Sequence, residues 1–362
     1  MVKQAVDFRQ DSHESLTALV QQWLPEISIA SFRKMDGGYS GTNYEIIAVA
    51  PSSTISTKYA LKICNGYAAA DVEAQALCTA FIAANGFSDR CCYSLPTAAC
   101  GDAAYTAMTA DGVPATLLTF VEGCAADHVI ETCPSVTVGT VLRACGAQLA
   151  ALHRVTGPGL AALRTYVDGG ACLVGEHMRG HFLALFDAAT DPHVATHPYV
   201  AFYRAAAPGL VADLASAAAM PQGVLHGDAF LDNVLLDAAS GAFSGFVDFE
   251  DVCRGPCLFD LAVCAVGNCF DGANALRMDA LEALLEGYQS ARRLVPLELD
   301  LFVPFLQHAL LCNATWRFCN FNITHPHLRA EFGDKYKELH DRWMYLDRDD
   351  VKKQVREALA QV

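Results

Sequence analysis

No stretch of this sequence is apolar for long enough to cross a membrane. The Ala-rich run from Val211 to Met220 is far short of the roughly 20 residues a span needs. The opening residues, MVKQAVDFRQDSHESL, carry no apolar core of a secretory leader, so a cytoplasmic protein is expected. Cations are scarce: 25 Lys and Arg against 40 Asp and Glu leave a formal net charge of −15. That balance argues against a nucleic-acid partner, which takes clustered Lys and Arg. The 15 cysteines contain no C-x-x-C, and the nearest pairs are Cys91-Cys92 and Cys253-x-x-x-Cys257. A zinc site usually shows paired short spacings, so these thiols are expected to be reduced and to pack as small apolar residues. Internal repeats and low-complexity linkers are missing too, and with 53% hydrophobic and 18% charged residues nothing points to disorder.

What is present is material for two domains, since 362 residues exceed one compact core. Ser12 followed by Leu16, Leu19, Val20 and Trp23 predicts a short helix that Pro25 stops. MDGGYSGTNYEIIAVA and KYALKIC then read as a hairpin, rich in β-branched and aromatic residues. A helix is expected over 70–85, ending near Gly86, and strands over 104–108 and 115–121. From Pro134 the texture turns helical, with helices expected over 138–153, 174–188, 199–219, 279–293, 301–318 and 327–344. Short strands at 223–225, 234–236 and 245–249 interrupt them. The expected fold is α+β and bilobal: a small β-rich lobe over 1–121, a larger helical lobe over 122–362, and a natural cleft.

The strongest chemical signal is GVLHGDAFLDNVLLDAASGAFSGFVDFEDVCRGPCLFDLA. His226-Gly227-Asp228 is followed by Asn233, a hydrophobic strand then delivers Asp248, and Asp260 comes next in FDLA. Phosphoryl transfer needs a carboxylate to orient a hydroxyl and accept its proton, together with hard oxygens for Mg²⁺. Mg²⁺ keeps several waters, so one Asp and one Asn suffice beside nucleotide phosphates. A lone H-G-D is more often a turn, but the ordered set is hard to reach by accident. Upstream, Gly37 to Asn43 lies between strand candidates, where backbone N–H groups and small side chains can cover phosphates.

These motifs resemble the catalytic and metal loops of the protein-kinase-like superfamily, in its aminoglycoside phosphotransferase and choline kinase branch. The resemblance implies a bilobal kinase fold using ATP and Mg²⁺, with Asp228 as catalytic base and Asn233 and Asp248 as metal ligands. His226 would brace the loop and Asp260 would fasten it. The glycine-rich turn resembles the branch's G-x-x-x-x-T-N-Y/F, which assigns Gly38, Ser40, Thr42 and Asn43 to the nucleotide. Lys62 would meet its phosphates, paired with Glu73 or, as the alternative, Asp71. Thr119-Phe120-Val121 would be the hinge that holds adenine, with Thr119 and Val121 assigned to the nucleotide. GAQLAALHRV resembles the branch's L-x-x-L-H helix, where His153 is assigned no catalysis.

Within the branch, the stretches L-H-G-D-x-F-x-D-N-V-L-L-D and S-G-F-V-D-F look closest to type II homoserine kinase. So does Leu284-Leu285-Glu286-Gly287-Tyr288 with the residues that follow. The implied partner is a small hydroxyl-bearing metabolite, first L-homoserine, with no nucleic acid and no membrane. Two departures matter. Leu231 stands where proline is typical, and Glu250 and Asp251 replace aromatic residues beside the metal loop. Those carboxylates fit a different amine substrate (hydroxylysine, choline, ethanolamine or an aminoglycoside), a second Mg²⁺, or plain solvent exposure. For an amino-acid substrate, Arg317 is the candidate cation for the α-carboxylate, with an ion pair inside the protein as the other reading. A catalytically silent, kinase-shaped binding protein is the remaining alternative.

Overall fold

In the computed structural model, the alternating runs around Ile46 and Leu61 lie in a five-stranded antiparallel sheet. The structure describes residues 10–35, 41–51, 55–98, 104–165, 176–213 and 219–361. The strands are β1 (Ser28–Lys34), β2 (Thr42–Val49), β3 (Ser56–Ile63), β4 (Thr106–Met108) and β5 (Pro114–Thr119), in the spatial order β1-β2-β3-β5-β4. Two helices accompany them, α1 (His13–Val20) and α2 (Ala69–Ile82). Ser12 caps α1 as its position suggests, its Oγ accepting from Ser15 N at 3.1 Å. One sheet face carries Tyr44, Ile46, Ala48, Leu61, Ile63, Ala115 and Leu117, buried with Leu16, Leu19 and Val20 of α1. Strand β1 was not expected. Its pairing with β2 shifts register between Ile29 and Ser31, and that irregularity spoils the period-2 pattern in the sequence.

The chain divides into two compact units. The first comprises Met1–Glu122, Gly157–Leu163 and Gly245–Val247; the second comprises Gly123–Thr156, Arg164–Ser244 and Asp248–Val362. After β5 come β6 (Cys124–Ala125), α3 (Ala126–Thr132), α4 (Val138–His153), α5 (Glu176–Ala188), α6 (Pro192–Ala195) and α7 (Pro198–Asp213). Next are β7 (Gln222–Leu225), β8 (Val234–Leu236), β9 (Phe243–Phe246) and β10 (Cys253–Pro256), which form the small sheets β10-β7 and β6-β8-β9. The chain closes with α8 (Cys257–Asn268), α9 (Met278–Ala291), α10 (Pro296–Cys319), α11 (Arg329–Phe332), α12 (Tyr336–Leu346) and α13 (Asp349–Gln361).

Helix α8 escaped the sequence reading because every residue from Cys257 to Val266 is buried, leaving no polar face to mark a period. The single helix expected over 327–344 is instead α11 and α12, and α13 follows, burying Val351, Val355, Ala358 and Leu359 on one stripe. Of the cysteines the structure describes, all but Cys124 and Cys133 are buried. Among the described residues no helix is long and apolar enough to cross a membrane.

Candidate active site

Strand β7 carries a buried Gly-Val-Leu into His226-Gly227-Asp228, and β10 pairs with it so that Cys253 lies opposite Leu225. The turn is held from below by Asp260 in the first turn of α8, itself fully buried. His226 N donates to Asp260 Oδ2 at 2.7 Å, and Gly227 N donates to Oδ1 at 2.8 Å. Both amides lie in the interior, where unpaired donors are costly, so Asp260 satisfies them as well as fixing them.

His153, at the end of α4, completes this support. Its Nε2 lies 2.9 Å from Asp260 Oδ2 and its Nδ1 2.6 Å from the Tyr288 hydroxyl. Arg292 donates to that hydroxyl at 3.1 Å and pairs with the buried Glu298 at 2.7 Å. Burial disfavours charge on both members of the His153–Asp260 pair. For His153, Tyr288, Cys257 and Asp260 outweigh burial and hold the imidazole well above its ordinary range. For Asp260, hydrogen bonding from His153 and the His226 backbone holds the carboxyl below the usual carboxylate range. The sequence reading gave His153 no role in catalysis. The structure has it bracing the aspartate that holds the loop.

Beyond the turn, Asn233 closes a short 3₁₀ segment and donates its backbone N–H to Phe230 O at 2.9 Å. Its side-chain Nδ2 donates to Asp228 O at 2.8 Å and to Asp228 Oδ2 at 2.9 Å. That amide nitrogen fixes the Asp228 carboxylate and leaves the amide oxygen as a hard donor. Asp248 has φ +61°, and among the described residues only Asn274 shares a positive φ without being glycine. Backbone of this kind costs energy and is concentrated at functional positions.

Gly227 shows how closely the two loops approach. At φ +87° it has room for no side chain: a Cβ there would sit 2.5 Å from Asp251 Cβ and 2.7 Å from Asp251 O. The stretch around Asp251 is clamped by Arg164, a residue the sequence reading missed because no motif surrounds it. Its Nε donates to Val252 O at 2.6 Å and its guanidinium NH2 to Glu250 O at 2.7 Å. Burial pushes the Asp251 carboxyl well above the usual range, the negative charges of Asp228 and Glu250 add to this, and Arg164 opposes it. Among the described residues no group of three or more His, Cys, Asp or Glu side chains forms a metal cage. The amide oxygen of Asn233 and the carboxylate of Asp248 are each of the hard-oxygen type that Mg²⁺ takes, an ion held by one or two carboxylates plus substrate phosphates.

In the first unit, Asn43 lies directly across from Lys62, and Lys62 across from Thr116, so these side chains share one sheet face. Thr42 is on the other face, 2% exposed, and its hydroxyl accepts from Asn65 Nδ2 at 3.1 Å. The Glu73 carboxylate accepts from Tyr105 N at 3.0 and 3.1 Å and from Thr106 N at 2.8 Å, anchoring the entry to β4. Thr119 exchanges two hydrogen bonds with Tyr93, and Val121 follows half-buried. Gly38 and Ser40 lie outside the described residues. Arg317, in the last turn of α10, donates to Glu338 at 2.9 Å and to Lys335 O at 3.4 Å, so its carboxylate partner comes from within the protein.

Residues 31–294 match the family model described as "Phosphotransferase enzyme family". Curated relatives include a homoserine kinase of Gluconacetobacter diazotrophicus, 32% identical over 49% of this chain and 60% of its own length. A homoserine kinase of Bartonella henselae is 37% identical over 25% of this chain and 28% of its own. The chain thus spans less than two thirds of the length of these relatives. Among solved structures, a putative aminoglycoside phosphotransferase of Ralstonia eutropha superposes with a TM-score of 0.56 at 14% identity. That superposition covers 93% of this chain and 98% of the other. Plasmodium vivax ethanolamine kinase gives 0.54 at 11% identity, covering 91% and 84%. Such low identities speak to the fold alone, and the fold is the kinase-like α+β arrangement of an N-terminal antiparallel sheet and a larger helical part.

Proposed function

The chain belongs to the phosphotransferase enzyme family, and from that premise we propose that it is an ATP-dependent kinase for the hydroxyl of a small, amine-bearing metabolite, with L-homoserine as the first acceptor. One observation carries the reading: the Asn233 amide donates to the Asp228 carboxylate while Asp260 pins the two residues before it. An aspartate oriented in this way can accept the hydroxyl proton as the acceptor oxygen bonds to the γ-phosphorus, ADP leaving with the electron pair of the broken bond.

In the first unit, Lys62 and Asn43 supply the face that meets the nucleotide, Lys62 as a point charge for its phosphates. In the second, Asn233 Oδ1 and the Asp248 carboxylate are the oxygens that would hold Mg²⁺, which neutralises phosphate charge when bound. Positioning and charge neutralisation do the rest.

Homoserine is favoured by the curated relatives, which are homoserine kinases. A second reading is favoured by the carboxyl groups of Glu250 and Asp251, which gather with those of Asp228 and Asp248 and suit a cationic acceptor such as hydroxylysine, choline, ethanolamine or an aminoglycoside. Arg317, already paired with Glu338, lends the homoserine reading no support. A coupled ADP-release screen with MgATP across these acceptors separates the readings. Turnover with L-homoserine is expected. A strong response elsewhere with none for homoserine would replace the acceptor and keep the chemistry. The absence of ADP release with every acceptor would point to a catalytically silent, kinase-shaped binding protein.

A further inference from the structure

We propose that Asn268, the last residue of α8, is a positioning residue for Asp228; the proposal rests on the phosphotransferase reading above. Its side chain reaches the catalytic loop twice. Nδ2 donates to Ala229 O at 2.9 Å, and Oδ1 accepts from Leu231 N at 3.0 Å. A single uncharged amide closes one carbonyl through its nitrogen and one N–H through its oxygen. Between these contacts the Phe230 ring lies against Gly267, where any Cβ would strike the ring. Three consecutive loop residues are therefore seated on the last turn of the helix.

The other end of the loop is held by the first turn of the same helix, through Asp260 to His226 and Gly227. Asp260 and Asn268 are eight residues apart, about 12 Å along the axis. Asp228 sits between the two attachments, and its own carbonyl accepts from Phe230 N at 2.8 Å, so movement at 229–231 is passed directly to it. Asp260 fixes where the turn starts. Asn268 fixes where it goes next, and with it the direction of the Asp228 carboxylate. Helix α8 is buried over Cys257 to Val266, which makes it a rigid support for both.

The test compares wild type with Asn268→Ala, Asn268→Asp and Val266→Ala, the last a buried α8 residue given no loop contact. Each is assayed with MgATP and the acceptor found in the screen, well below its melting temperature, and amide exchange is followed at Leu231. Asn268→Ala should lower kcat about 100-fold, the scale of an ångström of misplacement, with the KM for ATP within about threefold. Exchange at Leu231 should accelerate about tenfold. Asn268→Asp keeps the acceptor for Leu231 N but sets an anion against Ala229 O, so it should restore slow exchange more fully than kcat. Val266→Ala should lower the melting temperature and leave kcat within about twofold. Unchanged kcat in Asn268→Ala, or an equal loss in Val266→Ala, would overturn the proposal. If the wild type itself turned over no acceptor while Leu231 exchange still responded to Asn268→Ala, the kinase reading would fall and the loop anchor would stand.

Discussion

Gly227 is the residue at which the active-site geometry is least forgiving. Its positive φ excludes most side chains, and a Cβ would overlap both the side chain and the backbone of Asp251. Gly227→Ala is expected to cost about 2 to 4 kcal/mol, from left-handed backbone and overpacking together. The urea midpoint measures it, and a midpoint equal to wild type would contradict the close approach of the two loops. At this scale the sequence was largely legible. Asp228, Asn233, Asp248 and Asp260 sit in a motif whose order alone suggests their chemistry. Arg164 was not legible, because a clamp onto carbonyls 86 and 88 residues away leaves no local pattern. Thr42 was assigned from a motif, and only strand register reveals that its hydroxyl faces the core while Asn43 shares the face of Lys62.

Elements read well where one face is solvated and poorly where burial is complete. Helix α4 shows a 3.6 period and was found over its full length, whereas fully buried α8 gave no such signal. Yet α8 and α4 together hold the His226-Gly227-Asp228 turn through Asp260 and His153. This pairing predicts a pH dependence of stability with two limbs. His153, with its folded pKa raised, contributes stability that is full below its ordinary value and lost as pH rises through the folded one. Asp260, with its folded pKa depressed, contributes stability present above the ordinary carboxylate value and lost as pH falls through the folded one. Each unit of separation is worth about 1.4 kcal/mol. Thermal melting from neutral to alkaline pH should therefore decline more steeply for wild type than for His153→Gln. Parallel curves would contradict a charged His153.

For the whole molecule, the composition excluded more than it identified. A net charge of −15 spoke against nucleic acid and left the acceptor open. The α+β class followed from where β-branched runs give way to helical periods, and the family match over residues 31–294 agrees with it. The acceptor was not legible because it depends on which groups line a pocket, and such groups come from segments far apart in sequence. Phosphoryl transfer through Asp228 is the central claim. It is tested most directly by measuring kcat and MgATP affinity for Asp228→Asn, by coupled assay and by calorimetric titration. The predicted result is a fall in kcat of about 100- to 10,000-fold, with nucleotide affinity near that of wild type. Unchanged turnover would contradict the account.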